Sequence, residues 1–133
     1  MTAELPKCGI AELEHHDSKS GELKARTKKF AIRVIRLFKA LPNRPAEQVL
    51  GKQTLRSGTS VAANYRAACR ARSKAEVVAK IGVVSEEADE SVLWLELMIE
   101  SGLVTQGKTE ELLKEARELS AIFTASYNTA RGK

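Results

Sequence analysis

From Ser20 onward, apolar side chains return every three or four residues, the period of a helix that buries one face. Leu23, Phe30, Val34, Leu37, Phe38 and Leu41 share one side of a first helix, expected to begin after Ser20-Gly21 and to stop before Pro42. The run Leu41-Pro42-Asn43-Arg44-Pro45 ends it, because proline disfavours helical backbone in the residue before it. Val49, Leu50, Gln53, Leu55, Val61, Ala62 and Tyr65 predict a second helix from near Ala46 to about Arg70, although Gly58-Thr59-Ser60 lowers its intrinsic propensity. In the third, Val77, Ile81, Val84, Ala88, Ser91, Leu95, Met98 and Gly102 alternate steps of four and three, the seam of a bundle helix. Ser73 is its expected N-cap, Glu76 completes an S-x-x-E capping box, and Ser101-Gly102 is its expected stop. Thr109 is the expected cap of a fourth helix carrying Leu112, Leu113, Ala116, Leu119, Ile122, Phe123 and Tyr127.

Four helices of this length joined by short links predict an all-α fold, an antiparallel up-and-down four-helix bundle. Residues 20–133 form that domain, preceded by residues 1–19 as a poorly ordered arm with mixed charge and little periodicity. On the second helix the small residues Ser57, Gly58, Ser60, Ala62, Ala63, Ala67 and Ala68 let a neighbour approach closely. No strand precedes them, so they read as packing residues rather than a phosphate cradle.

Composition adds a charge asymmetry. The net charge is +5, but residues 1–74 carry +10 and residues 75–133 carry −5. Such a division fits either a polyanionic partner for the first half or pairing between the halves. The basic residues are ordered as well. Arg26, Lys29, Arg33 and Arg36 form one stripe on the first helix, and Lys52, Arg56, Arg66 and Arg70 cluster on the second, with Arg72 just beyond. Stripes of this density can track a phosphate backbone, and arginine grips a phosphate with two donors at once. Tyr65 is the only nearby aromatic for stacking on bases, so binding is expected to be electrostatic and poorly sequence-specific. The competing reading of the stripes is a solvated face.

The chemistry of catalysis is poorly represented. Glu86, Glu87, Asp89, Glu90, Glu96 and Glu100 crowd the third helix, but a bundle di-metal site needs Glu-x-x-His motifs and no histidine follows His16. His15 and His16 have no further ligands close in sequence. Cys8 and Cys69 match no disulfide or metal spacing, and no histidine in the bundle is placed to activate a nucleophile. The expectation is a non-enzyme without metal or cofactor. Asn64 is assigned a hydrogen bond to an adjacent helix, and Trp94 a core or interface anchor. No apolar run reaches the roughly 20 residues that span a bilayer, and no secretory signal opens the chain, so the expected location is the cytoplasm.

Residues 53–65 (QTLRSGTSVAANY) and 70–76 (RARSKAE), with Glu87-Ala88-Asp89-Glu90 and Trp94-Leu95-Glu96-Leu97, resemble the 23S rRNA intervening-sequence protein family over roughly residues 20–125. The resemblance implies a four-helix bundle, often assembled as a ring-shaped homopentamer and often encoded within insertions in bacterial rRNA genes. A related group serves diversity-generating retroelements as a basic accessory ring that binds nucleic acid and a reverse transcriptase. Arg56, Asn64, Arg70, Arg72, Ser73 and Trp94 match the pattern. Ala67 stands where the family commonly has Glu, and Val77 where it commonly has an aromatic. The expected function is therefore an oligomeric RNA- or DNA-binding protein. The alternative is a self-assembling scaffold, or a module for a protein partner, without nucleic acid.

Overall fold

The computed structural model describes residues 14–105 and 107–132, with side chains from Lys19 onward. Four helices follow in order: α1 (Glu14–Ala40), α2 (Pro45–Cys69), α3 (Lys74–Glu100) and α4 (Lys108–Ala130). Links this short between long helices force each to run back along its predecessor. α2–α3, α3–α4 and α1–α2 pack closely, whereas the α1–α4 seam is sparse.

α1 begins earlier than its pattern suggests. It starts at Glu14 and takes in residues 14–19, which the sequence places in the arm. Ser20-Gly21 lies within the helix rather than before it, with Ser20 buried. Residues 1–13 lie outside the described residues. α2 starts one residue before the expected Ala46, with Pro45 at the first helical position, where its missing N–H costs nothing.

The ends of α3 show how local chemistry fixes a boundary. Ser73 Oγ accepts the Glu76 backbone N–H at 3.1 Å. The reciprocal half of the capping box is absent, since Glu76 Oε1 instead accepts the Arg72 backbone N–H at 3.1 Å. At the other end Gly102 has φ +77°, Leu103 N–H donates to the Met98 carbonyl, and Gly102 N–H donates to that of Ile99. This is a Schellman stop, and it needs the left-handed backbone that glycine adopts freely. α4 departs from expectation. Gly107 is its N-cap, without a side-chain bond, and Thr109 lies inside the first turn, 7% exposed.

The expected seam residues form the core. Ile81, Val84, Ala88, Leu95 and Met98 of α3 meet Phe30 and Val34 of α1, Val61 and Tyr65 of α2, and Leu112, Leu119 and Phe123 of α4. The Tyr65 and Phe123 rings lie 5.3 Å apart at 50°. Small residues set two approaches. A Cβ on Gly58 would stand 2.8 Å from Val34 Cγ2, so only glycine admits α1 there. Ser57 and Ser91, both fully buried, join α2 to α3 through a hydrogen bond of 2.8 Å. Ala63, by contrast, faces solvent.

Candidate nucleic-acid interface

The nine basic residues selected from the sequence divide into two groups. Three are held by acids of the same chain. Arg26 Nε and Nη2 donate to both oxygens of Glu115 at 2.7 and 2.8 Å, and Nη2 also reaches Glu118 at 2.7 Å. Hydrogen bonding to Glu115, opposed by burial, raises the guanidinium pKa still further above its ordinary value. Arg56 of α2 grips Glu87 and Glu90 of α3 and donates to Gln53 as well. Its pKa is also raised, first by the bond to Glu90. Arg72 lies 3.7 Å from Glu76, one turn on, with its side chain 89% exposed.

The other six, Lys29, Arg33 and Arg36 of α1 and Lys52, Arg66 and Arg70 of α2, have no acidic partner among the described residues. Five are exposed and Arg33 is partly buried. Their positions follow from the helix period. With Val34 packed on Gly58 of α2 and Arg26 bonded to α4, the α1 stripe flanks the α4 seam. The α2 cations stand on that helix's solvent side. Lys24, Lys28 and Lys39 are exposed on the other flank of α1, so basic residues lie on both sides of its solvent face. The sequence reading missed these three, although their helical projection was available. It also missed Lys108, which only the tertiary fold brings beside Arg33 and Arg36.

Lys29, Arg33, Arg36 and Lys108 line a groove of about 680 Å³ between α1 and α4. Its floor is apolar, with Leu37, Leu41, Leu103 and Leu112 among the lining residues.

The structural polar residues behave differently from one another. Asn64 does not bridge to an adjacent helix. Its Nδ2 donates to the backbone oxygen and hydroxyl of Ser60, at 2.9 and 2.8 Å within α2, because a residue four positions back is nearest to a short side chain on a helix. Ser73 is the α3 cap. Trp94 is partly buried, and its Nε1 is sequestered without a hydrogen-bond partner among the described residues. Ala67 of α2 is partly buried, and Val77 packs on the core.

Part of the acidic face of α3 is committed to the fold, whereas Glu86, Asp89 and Glu100 are exposed and have no ion pair among the described residues. Glu87 and Glu90 hold Arg56, and Glu96 holds Arg117 of α4 at 2.9 Å. Among the described residues, no three His, Cys, Asp or Glu side chains gather closely enough to hold a metal ion. The His15 and His16 side chains, and Cys8, lie outside the described residues, and Cys69 is a buried thiol. No described helix is long and apolar enough to cross a membrane.

The family model described as 23S rRNA-intervening sequence protein matches residues 20–125, which include all of α2 and α3 and most of α1 and α4. The chain belongs to this family. A crystal structure from Bacteroides thetaiotaomicron VPI-5482, a protein of unknown function from the S23 ribosomal protein family, shares its fold. That protein is 34% identical, with a TM-score of 0.75, and the match covers 83% of this chain and 98% of the other. No curated protein matches the chain. Within the 23S rRNA-intervening sequence fold, the pairing of Arg56 with the third helix joins two segments of the recognised pattern, residues 53–65 and 87–90.

Proposed function

We propose that this is a non-enzymatic, oligomeric, cytoplasmic protein that binds RNA or DNA through its basic surface with little sequence specificity. The observation that carries this reading is the set of six cations without acidic partners among the described residues: Lys29, Arg33, Arg36, Lys52, Arg66 and Arg70. A cation already saturated by carboxylates gains little from a phosphate, whereas a solvated one releases condensed counterions when it meets the backbone. Lys24, Lys28 and Lys39 add further exposed positive charge on α1. Family resemblance suggests a homopentamer, and a ring would turn weak contacts per subunit into useful avidity.

Fluorescence anisotropy with labelled RNA and DNA across a salt series, with the oligomer's mass measured in each buffer, tests the proposal. Binding by an intact oligomer that falls steeply with salt supports it. No binding at low salt overturns it.

A second reading, a self-assembling scaffold, draws on the ion pairs themselves. Arg26 and Arg56 show that cations of the first half fit acids of the second within one chain, and the same complementarity can operate between copies. It predicts that salt dissociates the oligomer, where nucleic-acid binding predicts that salt strips the ligand from an intact one. Sedimentation over the same salt series separates the two.

A further inference from the structure

We propose that the groove between α1 and α4 binds a small amphiphilic anion, an aliphatic chain ending in a phosphate or carboxylate. This goes beyond the nucleic-acid reading, although three cations are shared.

The groove is polar along one stretch and apolar along the next. On α1 its lining runs from Lys29, Arg33 and Arg36 to Leu37, Ala40 and Leu41. Across the seam, Lys108 and Thr109 lie on α4, and Leu103 and Val104 on the link before it. From Lys29 to Ala40 the helix rises about 16 Å, three turns. The volume, about 680 Å³, falls in the range of small-molecule sites, roughly 300–1,000 Å³.

Three independent features at the cationic end point to an anion. Four cations line the groove with one carboxylate, Glu111, and none of the four has an acidic partner among the described residues. The first turn of α4 opens there with no side-chain cap, leaving N–H groups to be satisfied, while Glu110 and Glu111 answer part of the helix dipole. Thr109, 93% buried by its 7% exposure, lines the groove with no hydrogen-bond partner for its hydroxyl among the described residues. A bare phosphate would satisfy those groups but leave Leu37, Leu41, Leu103 and Val104 open to water. A neutral aliphatic chain would do the reverse. Only a ligand with both parts matches the lining.

The test is a titration of the ¹⁵N-labelled full chain with decyl phosphate below its micelle concentration, read by amide chemical shifts. Inorganic phosphate, decanol and phosphatidylglycerol vesicles are run beside it, and the Thr109→Val and Thr109→Ser variants follow. The expected result is one saturable site with shifts at Arg33–Leu41 and Leu103–Leu112. Affinity should be at least tenfold above that for inorganic phosphate or decanol, and lowered three- to tenfold in Thr109→Val but kept in Thr109→Ser. No saturable shift by 1 mM overturns the proposal. So does equal affinity for inorganic phosphate, which would make this a plain phosphate contact, or a response to vesicles alone, which would make it surface adsorption. RNA anisotropy of Thr109→Val should match that of the parent chain, because every phosphate-contacting cation remains. Absence of decyl phosphate binding by the parent chain, with its RNA binding intact, therefore sinks this inference and leaves the proposed function standing.

Discussion

Ser57 and Ser91 each carry one hydroxyl proton, and the geometry decides where both go. Ser91 Oγ lies 2.9 Å from the Glu87 carbonyl and Ser57 Oγ a longer 3.4 Å from that of Thr54, so Ser91 donates to Glu87 and Ser57 supplies the proton for the 2.8 Å bond between the helices. Replacing either serine with alanine should cost about 1 kcal/mol, because a buried partner loses a bond. Once the first is gone, removing the second should cost less, giving a coupling of about 0.5–1 kcal/mol in a urea-denaturation double-mutant cycle. Additive costs would show that the bond contributes nothing beyond packing. The sequence placed Ser91 in the α3 seam by spacing alone. It did not reveal the partner, which lies 34 residues away on another helix.

Among elements, α1 and α2 come together because α2 presents a glycine where Val34 arrives. Gly58→Leu should push the helices apart and lower stability by about 1–3 kcal/mol, the usual range for overpacking. Ala63→Leu, five residues on but facing solvent, should change stability by less than about 0.5 kcal/mol. Equal effects in thermal or urea unfolding would remove the close-approach account of Gly58. The run of small residues was legible in the sequence, but which of them face a helix was not. Helix boundaries divided in the same way. Ser73 and Gly102 act through atoms within a few residues, so α3 was bounded from sequence. Ser20 and Thr109 resemble helix-end residues, yet both are buried, Ser20 within α1 and Thr109 in the first turn of α4.

In the whole molecule, charge is divided between internal pairing and an exposed surface. The Arg26–Glu115 pair joins α1 to α4 where those helices otherwise touch little, with Glu115 17% exposed. An Arg26→Ala, Glu115→Ala cycle should give a coupling of about 0.5–1 kcal/mol that shrinks as salt is added. A coupling near zero at low salt would mean that the seam is held by its apolar contacts alone. Arg33 and Arg36 have no such partner among the described residues. Reversing both to Glu should weaken RNA and DNA binding at least tenfold for all sequences alike, and should lower the salt slope of log K by about 1.4–1.8. Unchanged affinity in anisotropy titrations would remove the α1 stripe from the interface.

The sequence by itself determined the four helices, most of the large apolar residues of their buried faces (Val49, which is exposed, is an exception), the stop of α3 and the family. Each depends on a helical period, a local cap or a contiguous motif, and all of these act within a few residues of the chain. Tertiary structure alone decided which cations stay available. Arg26 and Arg33 occupy the same stripe at the same spacing, yet Arg26 meets two glutamates of α4 and Arg33 meets a groove. That difference arises from residues some 70–92 positions away, brought near by helix packing. No local pattern in α1 records it.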